Sequence, residues 1–480
     1  MRGLARRAWH SPTLMTWGSL GVRLSGVVVV LPLVLRRFDT PEVAVWQLFS
    51  TIFTLILLLD LGLSPTFGRM FSYALGGASI ERMADMRRPA GEAPVAESQD
   101  VMGNAGRLFG TLRWIYARLA AVSVLVFAAG GTLALWKPIS ECHDPRRLWT
   151  AWAVVLVGAF MGMLGNAYSS ALQGMNEVAA QRRVEIASGI GQALTSIAVL
   201  LCGGGVLSIV VAYQAWAVIN ALFNWMLLAR LFPSLMAAPV RRDAVVLRAL
   251  WPATWRSGIG VLASHGIIQS SGLVYGQLAT PAELASYLLA LRIITMASQI
   301  SQAPFYSKLP RLAALQASGD RDEQLVIARR GMARAQWVLA AGVVFVALFS
   351  LPLLQLIGSR TQFVSPQLWA VVAMAFFVER FGAMHLQLYS LTNHIVWHIA
   401  NGVTGLLMIA LAALLYRWVG LFALPGAMLV AYSVFYSPYA AILSSRSFGF
   451  SLWRFEWRAG LPAGLAMAAG LALAAVIRGS

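Results

Sequence analysis

Apolar runs of about twenty residues recur along the chain, separated by short polar connections rich in arginine. As a helix, such a run crosses the roughly 30 Å hydrocarbon core of a bilayer, and lipid leaves its backbone no outside hydrogen-bonding partner. The pattern predicts spans at about 17–36, 43–68, 115–136, 148–173, 184–204 and 207–230, then at about 257–279, 284–306, 335–357, 366–391, 395–416 and 420–443. An Ala/Gly-rich run at 459–477 is a weaker thirteenth. The implied fold class is an all-α polytopic membrane protein with two six-helix bundles around a central cavity. Its expected parts are an N-terminal bundle (1–236), a cytoplasmic linker (237–256), a C-terminal bundle (257–445) and a C-terminal segment (446–480) holding the extra run.

Two short matches suggest duplication. Thr40-Pro41-Glu42 recurs as Thr280-Pro281-Ala282-Glu283, and Pro65 and Arg69 recur as Pro304 and Lys308. They fit two halves of one orientation, related by an axis along the membrane normal, with a substrate site expected between the halves. Lys and Arg concentrate in the connections that share a side with the N-terminus, which makes that side cytoplasmic. The longest of these, 80–106 and 307–334, are too small for a soluble catalytic domain. Met1-Arg2-Gly3-Leu4-Ala5-Arg6-Arg7 has the basic character of a signal peptide, but no small-residue cleavage site follows, so the first run is expected to stay as a span.

Composition agrees: 59% of residues are hydrophobic and 12% charged, against roughly 25% charged in soluble domains. A net charge of +18 would point to nucleic acid in a soluble chain. Here the cations serve as topology signals, and no nucleic-acid partner is expected. Cys142 and Cys202 form neither a metal spacing nor a CxxC pair, and a disulfide between them is the less favoured alternative. No P-loop, Gly-rich phosphate loop or Ser/His/Asp arrangement is evident, so neither an enzyme nor an ATP-driven pump is expected, and no cofactor or metal is implied.

The informative residues are charges inside apolar runs, where each costs at least ~2.5–3.5 kcal/mol. Arg23 in span one and Asp60 in span two are expected to pair in an empty cavity, with anionic substrate competing for Arg23; a structural pair, or Arg23 snorkelling to the interface, is the alternative. Arg292, Thr295, Gln299 and Gln302 lie on one face of span eight and should line a cavity or make polar helix contacts. Glu379 and Arg380 project about 100° apart on span ten, so one is expected in the cavity and the other paired elsewhere. Glu379 is the ion-coupling candidate. Arg69 and Lys308, near the cytoplasmic ends of spans two and eight, form a cationic approach for anionic head groups or merely follow the positive-inside rule. Weaker stripes are Asn166, Ser169 and Gln173; Tyr213, Asn220 and Asn224; and His394, His398 and Asn401. They suit sugar hydroxyls or helix–helix hydrogen bonds equally. His265 is expected to be structural.

Gly21-Val22-Arg23-Leu24, Pro41-Glu42-Val43-Ala44-Val45-Trp46, Leu59-Asp60-Leu61-Gly62-Leu63-Ser64 and Ala171-Leu172-Gln173-Gly174 resemble motifs of the polysaccharide flippases in the multidrug/oligosaccharidyl-lipid/polysaccharide exporter superfamily. The resemblance implies a flippase that moves polyprenyl-diphosphate-linked oligosaccharide from the inner to the outer leaflet of the bacterial cytoplasmic membrane. Membrane lipid, polysaccharide polymerase and glycosyltransferases would be its partners. Arg23, Asp60, Arg69, Arg292, Gln299, Lys308 and Arg380 are then the substrate-binding candidates; the guanidinium groups among them stay charged and bind two phosphate oxygens at once. A multidrug or small-cation antiporter of the same superfamily is the alternative, disfavoured by more arginine than carboxylate inside the spans. A membrane glycosyltransferase or polymerase would need a larger outer loop or a paired-carboxylate site.

Overall fold

The computed structural model describes residues 26–75, 100–262, 266–309, 320–392 and 396–479, with isolated positions at 15, 18, 19, 21, 22, 80, 311, 312 and 315. Every regular element among them is a helix. The chain divides into two compact units, residues 1–262 and 263–480. Among the described residues, eight helical stretches are long and apolar enough to cross a membrane, which makes this a multi-pass membrane protein.

In the first unit a π-helical turn, Gly26–Val30, runs into α1 (Leu31–Arg37). Then follow α2 (Thr40–Leu58), α3 (Leu63–Leu75), α4 (Val101–Ser140), α5 (Pro145–Gly174), α6 (Val178–Leu201), α7 (Val206–Leu231), a single turn α8 (Pro233–Met236) and α9 (Ala244–Val261). Helix α5 is the centre, packing on α3, α4 and α7. Glycine makes these contacts close: a Cβ on Gly165 would lie 2.5 Å from the Ala221 methyl, and one on Gly174 2.5 Å from Phe71. The expected second span, 43–68, is two helices, because the chain turns at residues 59–62. Leu61 (φ 51°) and Gly62 (φ 74°) both adopt left-handed backbone there, and Pro65 is accommodated in the first turn of α3, where its missing N–H costs nothing. Most of the expected linker is helix α9, packed on α3 and α4.

The second unit contains α10 (Ile267–Leu278), α11 (Pro281–Ser301), the turn α12 (Ala303–Tyr306), α13 (Arg321–Ile357), α14 (Pro366–Ser390), α15 (Trp397–Val419), α16 (Ala423–Ala431), α17 (Ser437–Phe448), the short α18 (Leu452–Glu456) and α19 (Leu461–Gly479). A second π-helical turn, Tyr432–Tyr436, joins α16 to α17. Helix α14 is central, packing on α11, α13, α16, α17 and α19. The expected eighth span breaks at Gln302, two residues before Pro304. The weak run at 459–477 is helix α19, seated on α13 and α14 through Gly470, where a Cβ would lie 2.6 Å from Val344, and Gly464, 3.2 Å from Phe377.

Helix ends follow local chemistry. Asp100, Asp144, Asp320 and Ser365 accept backbone N–H groups at the starts of α4, α5, α13 and α14, while Thr280 and Glu283 form a complete capping box on α11. Gly358 and Gly449 close α13 and α17 in the left-handed region. At ~1.5 Å per residue, α4 and α13 are about twice as long as the hydrocarbon core is thick. Residues 321–334, expected as loop, are therefore a continuous helical extension of α13.

Candidate functional site

A cavity of about 210 Å³ lies within the second unit. Helix α11 contributes Thr295, Ser298 and Gln299, with Gln302 at its end. Glu379, Arg380 and Phe376 come from α14, Asn401 and Thr404 from α15, Gln269 from α10, and Tyr432 and Tyr436 from the π turn. Tyr432 and Tyr436 lie four residues apart at the two ends of the π turn, and their rings meet edge-on with centroids 5.5 Å apart. Ser437 fixes the turn to α14 by donating to the Val378 carbonyl at 2.7 Å.

Arg380 is 6% exposed. One Nη donates to the Ser298 hydroxyl, the other to Gln302 Oε1 at 3.4 Å, and the Glu379 carboxylate stands 3.8 Å away. Arg380 Nε and Glu379 Oε2 remain buried without a hydrogen-bond partner. Both charges therefore line one cavity, unlike the expected split between cavity and a separate partner: the flexible side chains close the 100° gap that the backbone sets. Incompletely satisfied buried charges are costly, and a ligand that accepts from Nε and donates to Oε2 is stabilised in return. At 210 Å³ the cavity is below the ~300–1,000 Å³ of ordinary ligand pockets, so it suits one phosphate or one sugar, not a whole oligosaccharide.

The expected polar face of α11 enters this cavity through Thr295, Gln299 and Gln302, whereas Arg292 on the same helix is half-buried and outside its lining. Asn401 joins it from the expected α15 stripe, and His398 does not. Lys308 is exposed just after α12. Arg23, His265 and His394 lie outside the described residues, and with Arg23 the expected Arg23–Asp60 pair. Arg69 falls on α3, with its side chain outside what is described.

Asp60 sits in the turn that divides α2 from α3. Its carboxylate accepts the Ser64 N–H and hydroxyl, both at 3.1 Å, and the Tyr116 hydroxyl. Ser170 extends this network by donating to Ser64 at 2.9 Å. The carboxylate thus caps α3 and ties it to α4 and α5. Asn224 binds Asn220 within α7, and Asn166 contacts Met163 within α5. Cys142 and Cys202 are both free thiols. Burial, with the Glu42 and Glu141 charges, pushes the Cys142 thiol up to about 12.

Two ionic groups escaped the sequence pattern. Glu185 on α6 gathers Arg182 at 2.7 Å, Gln181 at 2.8 Å and Ser19 at 2.6 Å. It lay at the edge of an expected span, where a carboxylate looks unremarkable. His385, fully buried on α14, bridges Ser444 at 2.7 Å and Glu456 at 3.0 Å. Its partners lie 59 and 71 residues away, so no local spacing announces them. Among the described residues, no cluster of three or more His, Cys, Asp or Glu could hold a metal.

No protein-family model and no curated protein matches the sequence. Solved structures do match the fold. An inward-facing multidrug resistance MATE family transporter of the MOP superfamily aligns with TM-score 0.67 at 14% identity, over 92% of this chain and 96% of that one. Lipid II flippase MurJ in an inward closed conformation aligns with TM-score 0.61 at 11% identity, over 97% of both chains. The MATE multidrug transporter DinF-BH in complex with R6G gives 0.60 at 14% identity, over 92% of this chain and 98% of that one. The chain has the fold of MOP-superfamily transporters.

Proposed function

We propose that this chain is an alternating-access flippase in the bacterial cytoplasmic membrane, with its N-terminus cytoplasmic. It carries polyprenyl-diphosphate-linked oligosaccharide from the inner to the outer leaflet; glycosyltransferases build the cargo and a polysaccharide polymerase consumes it. The observation that carries this reading is the under-satisfied Arg380–Glu379 pair among amide and hydroxyl side chains. A diphosphate offers the acceptor that Arg380 Nε lacks, and a sugar hydroxyl the donor that Glu379 Oε2 lacks. Gln299 serves the same cargo in this cavity. Arg23, Arg69, Arg292 and Lys308 stand as further contacts along the route, while Asp60 holds the turn between α2 and α3.

A second reading, export of drugs or small cations in exchange for an ion, is favoured by a different part of the same lining. Phe376, Tyr432 and Tyr436 flank Glu379, and a carboxylate among aromatic rings suits an organic cation. In that reading Glu379 exchanges the coupling ion. The test compares lipid-linked oligosaccharide in cells lacking the protein with cells carrying Arg380→Ala or Arg380→Lys at normal expression. Inner-leaflet intermediates accumulating in the deletion and both variants are expected. Normal intermediates with lost resistance to cationic drugs would move the assignment to the antiporter.

A further inference from the structure

The segment after α17 turns back along the base of the second unit and presents two opposite faces. Phe455 is buried in the core that includes Phe305, Met332, Met384 and Phe448. Glu456 points inward as well, bonded to buried His385 and to the Gly460 N–H. Trp453 and Trp457 face outward, 67% and 58% exposed, with ring centroids 5.4 Å apart. Beside them, Arg454 and Arg458 project at the spacing of one helical turn, and Arg329 of α13 completes an open groove of about 990 Å³.

None of these three arginines has a carboxylate within ion-pair distance among the described residues. Unneutralised guanidinium groups crowded around one groove repel each other, and an anion that enters between them removes that repulsion. Exposed tryptophans are costly in water but favourable at the head-group level of a bilayer, where the ring meets apolar chains and the indole N–H meets polar groups. The groove lies at the arginine-rich N-terminal end of α13, on the side expected to be cytoplasmic. The buried His385–Glu456 contact and the Phe455 anchor hold it in shape before any ligand arrives.

We propose that the groove formed by Arg329, Arg454, Arg458, Trp453 and Trp457 binds the phosphate-bearing head group of an anionic phospholipid from the surrounding leaflet. Its lipid tails run up the apolar flank of the unit while the phosphate sits between the arginines. This site is separate from the Arg380 cavity and does not depend on the cargo proposed for it.

The test is native mass spectrometry of the full chain, purified in neutral detergent and titrated with phosphatidylglycerol or phosphatidylcholine. Phosphatidylglycerol should be retained preferentially, and Arg329→Gln/Arg454→Gln/Arg458→Gln should bind it roughly tenfold more weakly. Arg330→Gln, exposed on the same helix but outside the groove, should leave binding unchanged and serves as the charge control. Inorganic phosphate should not compete. Equal retention of both lipids, an unaltered triple variant, an equal loss in Arg330→Gln, or displacement by inorganic phosphate would each overturn the assignment. Trp453→Ala/Trp457→Ala, which keeps every charge, should weaken retention less than the triple variant; a larger loss would overturn the phosphate's role.

Discussion

Asp60 in the first unit and Glu379 in the second are carboxylates set among apolar helices, yet their surroundings have opposite states of completion. Asp60 receives a backbone N–H and two hydroxyls at a turn whose left-handed residues break the helix. Glu379 stands 3.8 Å from Arg380 in an unbroken helix, with one oxygen lacking any hydrogen bond. Completed networks rigidify, because each group would lose a partner by moving. Incomplete ones leave free energy to be gained from a ligand or a proton. The contrast suggests scaffold chemistry at Asp60 and working chemistry at Glu379–Arg380.

The sharpest way to break this comparison is Arg380→Met. It strands a carboxylate that is still 23% exposed, so the expected loss of stability is about 3 kcal/mol, the low end for a broken buried pair. Adding Glu379→Gln should recover most of the melting temperature without restoring transport. A single variant that melts like the wild type would mean the pair is not electrostatically strained. At the other pole, Asp60→Ala should cost about 2 kcal/mol through lost charge-assisted hydrogen bonds. Tyr116→Phe should cost less, and the two should be non-additive in thermal melts. Loss of transport at an unchanged melting temperature would move Asp60 from scaffold to substrate path.

The same contrast marks what the sequence made legible. Apolar run length located the helices, because the bilayer imposes that length. It missed the turn at Asp60 because Leu61, Gly62 and Leu63 are themselves apolar; Gly62 and Pro65 were the available punctuation. The extension of α13 was readable in Asp320 and Glu323, a helix-start pair three residues apart. In the cavity, Thr295, Gln299 and Gln302 followed from the 3.6-residue period of α11. Tyr432 and Tyr436 did not, since a π turn shifts helical phase and has no compositional mark. Asn401 was legible as part of the stripe on α15, whereas Gln269 joins from α10 with no such pattern, and Ser298 is too small to stand out in an apolar run.

Helix packing around the π turn offers a milder test of how far the cavity depends on its shape. A Cβ on Gly382 would lie 2.7 Å from both the Tyr436 ring and Ser437 Oγ. Gly382→Ala should therefore cost about 1–3 kcal/mol as overpacking and weaken substrate binding by displacing Tyr436. Gly402→Ala, on α15, meets nothing within 4 Å and should be neutral or stabilising by up to about 1 kcal/mol from helix propensity. Equal melting temperatures for the two variants would show that the turn yields easily and does not fix the cavity.

The smallest expected effect concerns an ion pair outside the spans, Arg107 with Asp243 at 2.8 Å. Burial opposes ionisation of Asp243, but the Arg107 hydrogen bond, the Val246 N–H, the Arg107 charge and the Val245 N–H together hold its carboxyl below the usual value. A lowered folded value means the stabilisation is full above the unfolded pKa, about 3.9, and is lost as pH falls through the folded one. Melting temperature should therefore gain nothing from this pair between pH 7 and 5 and fall below about pH 4. Because Arg107 is 31% exposed, the contribution should stay under about 1 kcal/mol. Asparagine caps helices as well as aspartate does, so Asp243→Asn should remove the pair's acid dependence while keeping the start of α9. Asp243→Ala should cost about 1 kcal/mol more by removing the cap. If the two variants melted alike across pH, the residue would act through charge alone, and even this helix-capping carboxylate would resemble Glu379 more than Asp60.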